Sequence, residues 1–324
     1  MPTCSDDSAL HGEQLAGSAP TALAWLALEQ RGPWGARAFT DSHLDRDLGA
    51  TIEAAAAAHR TRPVLIRRPG RHPDRSTTLT DPRRLLVAFT HPDDTWLLEG
   101  TIDRPEDVLG LDWAALEAGD RAAVRRSLPS LAASDTAHLL VCTNGSRDVC
   151  CAVKGRPLAL RLADDYPDRI WEVTHTSGHR FAPTAVLLPS GTLHGRLDEA
   201  RAKDVLTAAA RAETVLDGNR GRSTWAAAAQ VAELAVRDRT GETSLDALTV
   251  TAHEDLGEHA WTTLVQHRDG RSWRVGTMSE ATDTQRAESC GKTLKGLRRY
   301  TTTVAALAGQ ARTGDPAQAG PDVR

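Results

Sequence analysis

No stretch of this 324-residue chain approaches the ~18 consecutive apolar residues that a helix needs to cross a membrane. Its first twenty residues, MPTCSDDSALHGEQLAGSAP, lack the basic-then-apolar pattern of a secretory leader. A cytoplasmic protein without membrane association is therefore expected. An excess of one charge is missing as well: 39 Lys and Arg against 43 Asp and Glu give a net charge of −4, and the arginines are scattered among acids. That leaves no electrostatic footprint for nucleic acid and argues against a nucleic-acid partner. Lysine supplies only four of the 39 basic residues, a bias typical of GC-rich bacterial genomes that carries no functional information. The chain has no G-x-S-x-G elbow, P-loop, H-E-x-x-H or G-x-G-x-x-G, and no carboxylate pair stands out for glycoside hydrolysis. No catalytic residues are assigned, and an enzymatic role is not expected.

Cysteine is scarce too, with five in all and two of them adjacent, which makes a poor disulfide framework. In a reducing compartment such thiols more often bind metal or carry redox chemistry. Three of the five fall in LLVCTNGSRDVCCAVKGRPLA, shortly before WEVTHTSGHRFAPTAVLLPSGTLHGRL with its His-x-x-x-His pair. Cys142, Cys151, His175 and His179 are the candidate ligands of a metal site. Thiolate with imidazole suits Zn²⁺ or an iron–sulfur centre, whereas Ca²⁺ or Mg²⁺ would want carboxylates. Eight residues separate Cys142 from Cys151 and twenty-three separate Cys151 from His175, so only the histidine half fits a zinc finger. Both Cys precede both His, where a Rieske centre alternates them. A structural zinc site and a thiol–disulfide pair remain the alternatives, although the latter lacks C-x-x-C.

The segments C-T-N-G-S-R-D-V-C-C-A, W-E-V-T-H-T-S-G-H-R-F-A and L-P-S-G-T-L-H-G-R resemble the sucrase/ferredoxin-like family, whose core is a thioredoxin-like ferredoxin domain; weaker similarity runs from Cys4 to about Leu307. The resemblance implies a [2Fe–2S] cluster held by Cys142, Cys151, His175 and His179, a one-electron carrier or redox sensor, and a protein electron donor or acceptor as partner. It also implies Cys151 rather than its neighbour Cys150 as the second thiolate. Asn144, Ser177 and Pro183-Thr184 depart from the family pattern without removing a ligand, so they bear on the hydrogen bonds around the ligands.

The expected fold class is α/β (α+β), a thioredoxin-like core with two tandem β-α-β-β-β-α units and a smaller α+β segment. The first unit, within 1–125, reads strand 22–30, helix 43–60, strands 63–68, 84–90 and 95–102, and helix 105–119. The second, within 126–215, reads strand 138–143, helix 150–164, strands 169–175, 185–190 and 192–197, and helix 198–213. Gly32-Pro33-Trp34-Gly35 then stands where the second unit has its cysteine loop, so the first unit is expected to be a metal-free copy packed against the site. A segment at 216–312 adds an amphipathic helix, three strands with a turn at His267–Gly270, and a last helix after Cys290-Gly291-Lys292; residues 313–324 are expected to be a disordered tail.

Cys142 should end a central strand and Cys151 should sit near the start of the next helix, where the helix dipole favours thiolate. Cys4 and Cys290 read as single thiols, with Cys290 at a helix start. His194, His253, His259 and His267 read as surface residues, Arg147-Asp148 as an ion pair bracing the ligand loop, and Arg180 and Arg196 as solvated or facing an acidic partner.

Overall fold

The computed structural model describes residues 3–70 and 82–307. The chain begins with α1 (Cys4–Leu10), then β1 (Ala24–Glu29), α2 (Ala38–Asp41), α3 (Arg46–Ala58), β2 (Thr61–Arg67), β3 (Arg83–Phe89) and β4 (Trp96–Ile102). After a 3₁₀ turn come α4 (Trp113–Ala118), α5 (Arg121–Ser127) and the edge strand β5 (Leu131–Ser134). A second run follows: β6 (His138–Cys142), α6 (Arg156–Asp165), β7 (Ile170–Val173), β8 (Ala185–Leu188), β9 (Thr192–His194), α7 (Glu199–Ala209) and β10 (Asn219–Arg222). This is the mixed α/β architecture that the sequence pattern implied.

All of these strands belong to one sheet, in the order β10-β9-β8-β6-β7-β2-β1-β3-β4-β5. On one side β1 pairs parallel with β2 and antiparallel with β3, which pairs antiparallel with β4. On the other side β6, β7, β8 and β9 repeat those partners and senses. The halves meet at an antiparallel seam, Ile66↔Val173 and Arg67↔Glu172. Central strands are buried on both faces, which is why β1 (AWLALE) and β6 (HLLVC) read as nearly unbroken apolar runs.

Local signals account for the crossover helices. Asp45 caps α3 by accepting from Leu48 N at 2.9 Å, and Leu48, Ile52 and Ala56 recur every fourth residue along its buried stripe. That stripe covers Leu26 and Leu28 of β1. On the second half, Leu158, Ala159 and Leu162 of α6 and Val205 and Leu206 of α7 cover Leu139 and Val141 of β6. The alternate residues, Trp25 and Ala27 of β1 with Leu140 and Cys142 of β6, share a third core common to both halves. The sheet curls far enough for Ala22 N to donate to Ser223 O at 2.7 Å, bringing the end of β10 against the chain entering β1.

The remaining chain forms α8 (Ala227–Thr240) and a meander of β11 (Leu248–Gly257), β12 (Ala260–His267), β13 (Ser272–Ala287) and β14 (Leu294–Leu307). Ala232 and Val236 of α8 bury Val265, Trp273 and Val275 of the meander. The expected last helix after Lys292 is instead β14, paired with β13 from Ser272↔Leu307 to Ala287↔Leu294. The run Tyr300-Thr-Thr-Thr-Val304 favours strand, and β13, itself far longer than expected, supplies the partner. The helix expected over 105–119 breaks at Leu111, after which Asp112 caps α4 by accepting from Ala115 N. Five of the described elements had no counterpart in the sequence reading: α1, α2, α5, β5 and β10. The expected tail at 313–324 lies outside the described residues.

Candidate metal centre

Cys142 is the last residue of β6, and its side chain faces the core shared by both halves. Nine residues later a π-helical turn (Cys151–Gly155) opens directly into α6. A Cβ on Gly155 would stand 2.2 Å from Cys142 O, so a residue without a side chain is needed where the helix passes the strand end. That close approach sets Cys151 against Cys142.

The histidines come from the loop after β7. Ser177 (φ 60°) and Gly178 (φ 70°) both adopt the left-handed conformation, which reverses the chain. The imidazoles of His175 and His179 consequently stack, centroids 4.9 Å apart and planes 29° apart. A Cβ on Gly178 would lie 2.4 Å from Arg220 Nη2, which leaves no room for a larger residue.

All four expected residues therefore converge. Cys151 Sγ is 3.3 Å from His179 Nδ1, and Cys142 and Cys151 are each 1% exposed. Cys142 is pulled well below the ordinary thiol range, first by the hydrogen bond from Cys151, which outweighs burial, and then by His175. The same contact pushes Cys151 up. His175 is driven down to about 4, chiefly by burial, and burial also lowers His179. Two neutral imidazoles beside two buried sulfurs form a donor set from which a thiophilic metal displaces protons. His175 Nδ1 is buried without a hydrogen-bond partner, whereas its Nε2 is 3.4 Å from Ser177 Oγ. A buried ring nitrogen without a partner, on an imidazole beside Cys142, suits a metal or cluster ligand.

The adjacent cysteines part company. Cys150 turns away from this quartet and joins Cys4 and Cys290, two thiols that the sequence had left isolated. Cys290 occupies the turn between β13 and β14, not a helix start. Asp148 does not pair with Arg147: it accepts from Cys150 N at 2.8 Å and Cys290 N at 2.9 Å, while Arg147 donates to Ala36 O.

A buried and a half-buried arginine brace the histidine loop, and nothing in the sequence marked them. Arg220 is fully buried and donates to Thr176 O at 3.3 Å and Ser177 O at 3.0 Å; burial lowers it to about 9. Arg62 donates to Ser177 Oγ at 3.1 Å and is lowered to about 10, again mainly by burial. The first half also reaches the ligand loop, where Asn144 Nδ2 donates to Gly35 O at 2.9 Å. A cleft of about 290 Å³, with Arg37, Arg62, Arg147 and Glu53 in its walls, opens onto His175.

Other expectations change. Arg180 pairs with Glu13 at 2.7 Å, and Arg196 donates to Ser8 O and Glu13 O, so both are engaged within the chain rather than facing a partner. His194 is buried and held down to about 4 by desolvation, and His267 lies between Glu242 and Asp269. Neither is a surface residue.

Residues 15–221, well over half of the chain, match the family model described as sucrase/ferredoxin-like. The chain belongs to that family. The sucrase/ferredoxin-like match spans both halves of the ten-stranded sheet and contains Cys142, Cys151, His175 and His179. It stops short of the meander, which carries Cys290. No curated protein and no solved structure matches the chain. Among the described residues no helix is long and apolar enough to cross a membrane.

Proposed function

We propose that this protein holds a [2Fe–2S] cluster through Cys142, Cys151, His175 and His179 and works as a one-electron carrier or redox sensor. The observation that carries the proposal is the convergence of two buried thiols and two neutral imidazoles from separate segments, with His175 Nδ1 buried and unpartnered. Such a cluster supplies reversible one-electron chemistry at a potential that ligand charge and surroundings tune.

The chain's residues contribute the rest. Two imidazoles in place of two thiolates remove negative charge, and the half-buried Arg62 and buried Arg220 add positive charge close by. Both effects favour uptake of an electron. The potential is therefore expected above the ~ −400 mV of plant-type ferredoxins, in or near the ~ −150 to +300 mV Rieske span. Cys142 and Cys151 are shielded from water, while the cleft at His175 brings solvent and a partner close to one ligand. Its three arginines suit a redox protein presenting acidic groups. Thiols of this kind stay reduced in a cytoplasm, the expected location.

Iron and acid-labile sulfide analysis, with an EPR spectrum of the reduced protein, tests the proposal. Equal iron and sulfide, a red-brown colour that bleaches on reduction, and loss of both in Cys151→Ser but not in Cys150→Ser are expected. Zinc in place of iron at this quartet, leaving a colourless protein, would overturn it.

A further inference from the structure

The thiols that the quartet leaves unused form a second constellation. Cys4 Sγ lies 3.5 Å from Cys150 Sγ, Cys150 Sγ lies 3.2 Å from Cys290 Sγ, and Cys290 Sγ lies 3.4 Å from Cys4 Sγ. Asp148 Oδ2 is 3.7 Å from Cys4 Sγ, and one donor atom from each of the four residues falls within 4.8 Å of all the others. Cys4, Asp148 and Cys150 are buried, and Cys290 is partly so.

Three thiols within hydrogen-bonding reach of one another, beside a carboxylate, make a sulfur-rich donor set of the kind that holds zinc. A tetrahedral ion with metal–sulfur bonds of ~2.3 Å would hold its sulfurs ~3.8 Å apart, so this triangle needs to open by only a few tenths of an ångström. A disulfide would require two of the sulfurs to close by more than ~1 Å and would leave the third thiol unused. The carboxylate is already fixed: Asp148 accepts from Cys150 N, from Cys290 N and from Ser289 Oγ at 2.6 Å. Anchored in this way, it can offer a lone pair to an ion without losing its orientation. The donors also come from far apart in sequence, namely α1, the ligand loop, and the turn between β13 and β14.

We propose that Cys4, Cys150, Cys290 and Asp148 form a second, mononuclear site for a thiophilic divalent cation, Zn²⁺, which clasps the N-terminal helix and the β13–β14 turn onto the ligand loop. The vicinal cysteines then divide the work: Cys151 faces the quartet and Cys150 faces the clasp. Loading releases the thiol protons, and the ion offsets the charge of three thiolates and a carboxylate. This site stands independently of what the quartet holds.

The test measures zinc, iron and sulfide together by mass spectrometry and colorimetry on protein purified without chelator. Stoichiometric zinc is expected in the wild type. It should be lost in Cys4→Ser and in Cys290→Ser while iron and sulfide remain, and retained in a Cys142→Ser/Cys151→Ser protein that has lost its iron. As a check that does not depend on the folding of any variant, zinc-depleted wild-type protein is also titrated with Co²⁺, which should give the thiolate charge-transfer and d–d bands of a tetrahedral sulfur-rich site. Wild-type protein that neither contains zinc nor develops those bands overturns the proposal. So does zinc that persists in both Cys4→Ser and Cys290→Ser, or a disulfide among these three cysteines in anaerobically purified protein.

Discussion

Replacing Glu172 by Gln tests how the seam between the two halves supports the candidate centre. Glu172 is fully buried on β7 and accepts from Arg67 Nε at 2.8 Å, from Arg67 Nη2 at 2.6 Å and from Thr143 Oγ1 at 2.9 Å. Arg67 is on β2, directly across the seam, and Thr143 follows Cys142. One carboxylate thus ties together the two half-sheets and the start of the ligand loop. Removing its charge leaves the Arg67 guanidinium buried and unpaired, which costs ~3–5 kcal/mol for a pair of this kind. For a chain of this size the melting temperature should fall by on the order of 10 °C. Replacing both partners with apolar residues, Arg67→Met with Glu172→Leu, removes the orphaned charge and should recover at least ~2 kcal/mol relative to the sum of the single changes. Urea unfolding followed by circular dichroism, with loss of cluster absorbance recorded in parallel, supplies both readouts. Glu172→Gln should also release the cluster faster, because Thr143, beside Cys142, must then share a single neutral amide oxygen with Arg67. A cost below ~1 kcal/mol for the single variant, or strict additivity in the double, would refute the argument that this pair holds the seam.

Gly155→Ala places a Cβ 2.2 Å from Cys142 O, a clash between two backbones, so a loss of ~1–3 kcal/mol and weakened cluster retention are expected from thermal melts and visible absorbance. Glu99 gives the acid limb: burial raises it, but hydrogen bonds from His138, Ser134 and Arg84 prevail and bring it to about 2. Its folded value lies below the usual 4.5, so its contribution is complete above about pH 4.5 and is lost as pH falls towards 2; Glu99→Gln should flatten the stability–pH curve in that window, and an unchanged slope would count against it. His175→Cys and His179→Cys each add thiolate charge and should lower the potential, whereas unchanged spectra and potentials in both would show that neither imidazole is a ligand. Should the outer nitrogen of a ligand imidazole exchange protons through the cleft at His175, voltammetry will show the potential falling by about 59 mV per pH unit for each proton taken up with the electron; a flat response sinks that coupling.

The candidate ligands were legible because their chemistry is local. Two thiols and two histidines stand within forty residues, and the turns that bring them together are written next to them, as Gly155 at the helix opening and Ser177-Gly178 at the reversal. The crossover helices and central strands were legible for a similar reason, since apolar spacing and capping residues act within a few positions. β14 was misread as a helix although its Tyr300–Val304 run favours strand, because that run is short and nothing in β14 names β13, the partner that extends it. The same limit hid everything that acts over long separations. Cys4, Cys150 and Cys290 are 140 to 286 positions apart, so only packing could make one cluster of them. Arg62 and Arg220 look like any surface arginine in the sequence, and only their packing against the histidine loop sets them apart. Sequence by itself determined which donor atoms are available and how the chain bends around them. The tertiary structure decided which cysteine of the vicinal pair faces which partners, because side-chain direction at a helix opening is fixed by the strand end and the distant hairpin packed against it.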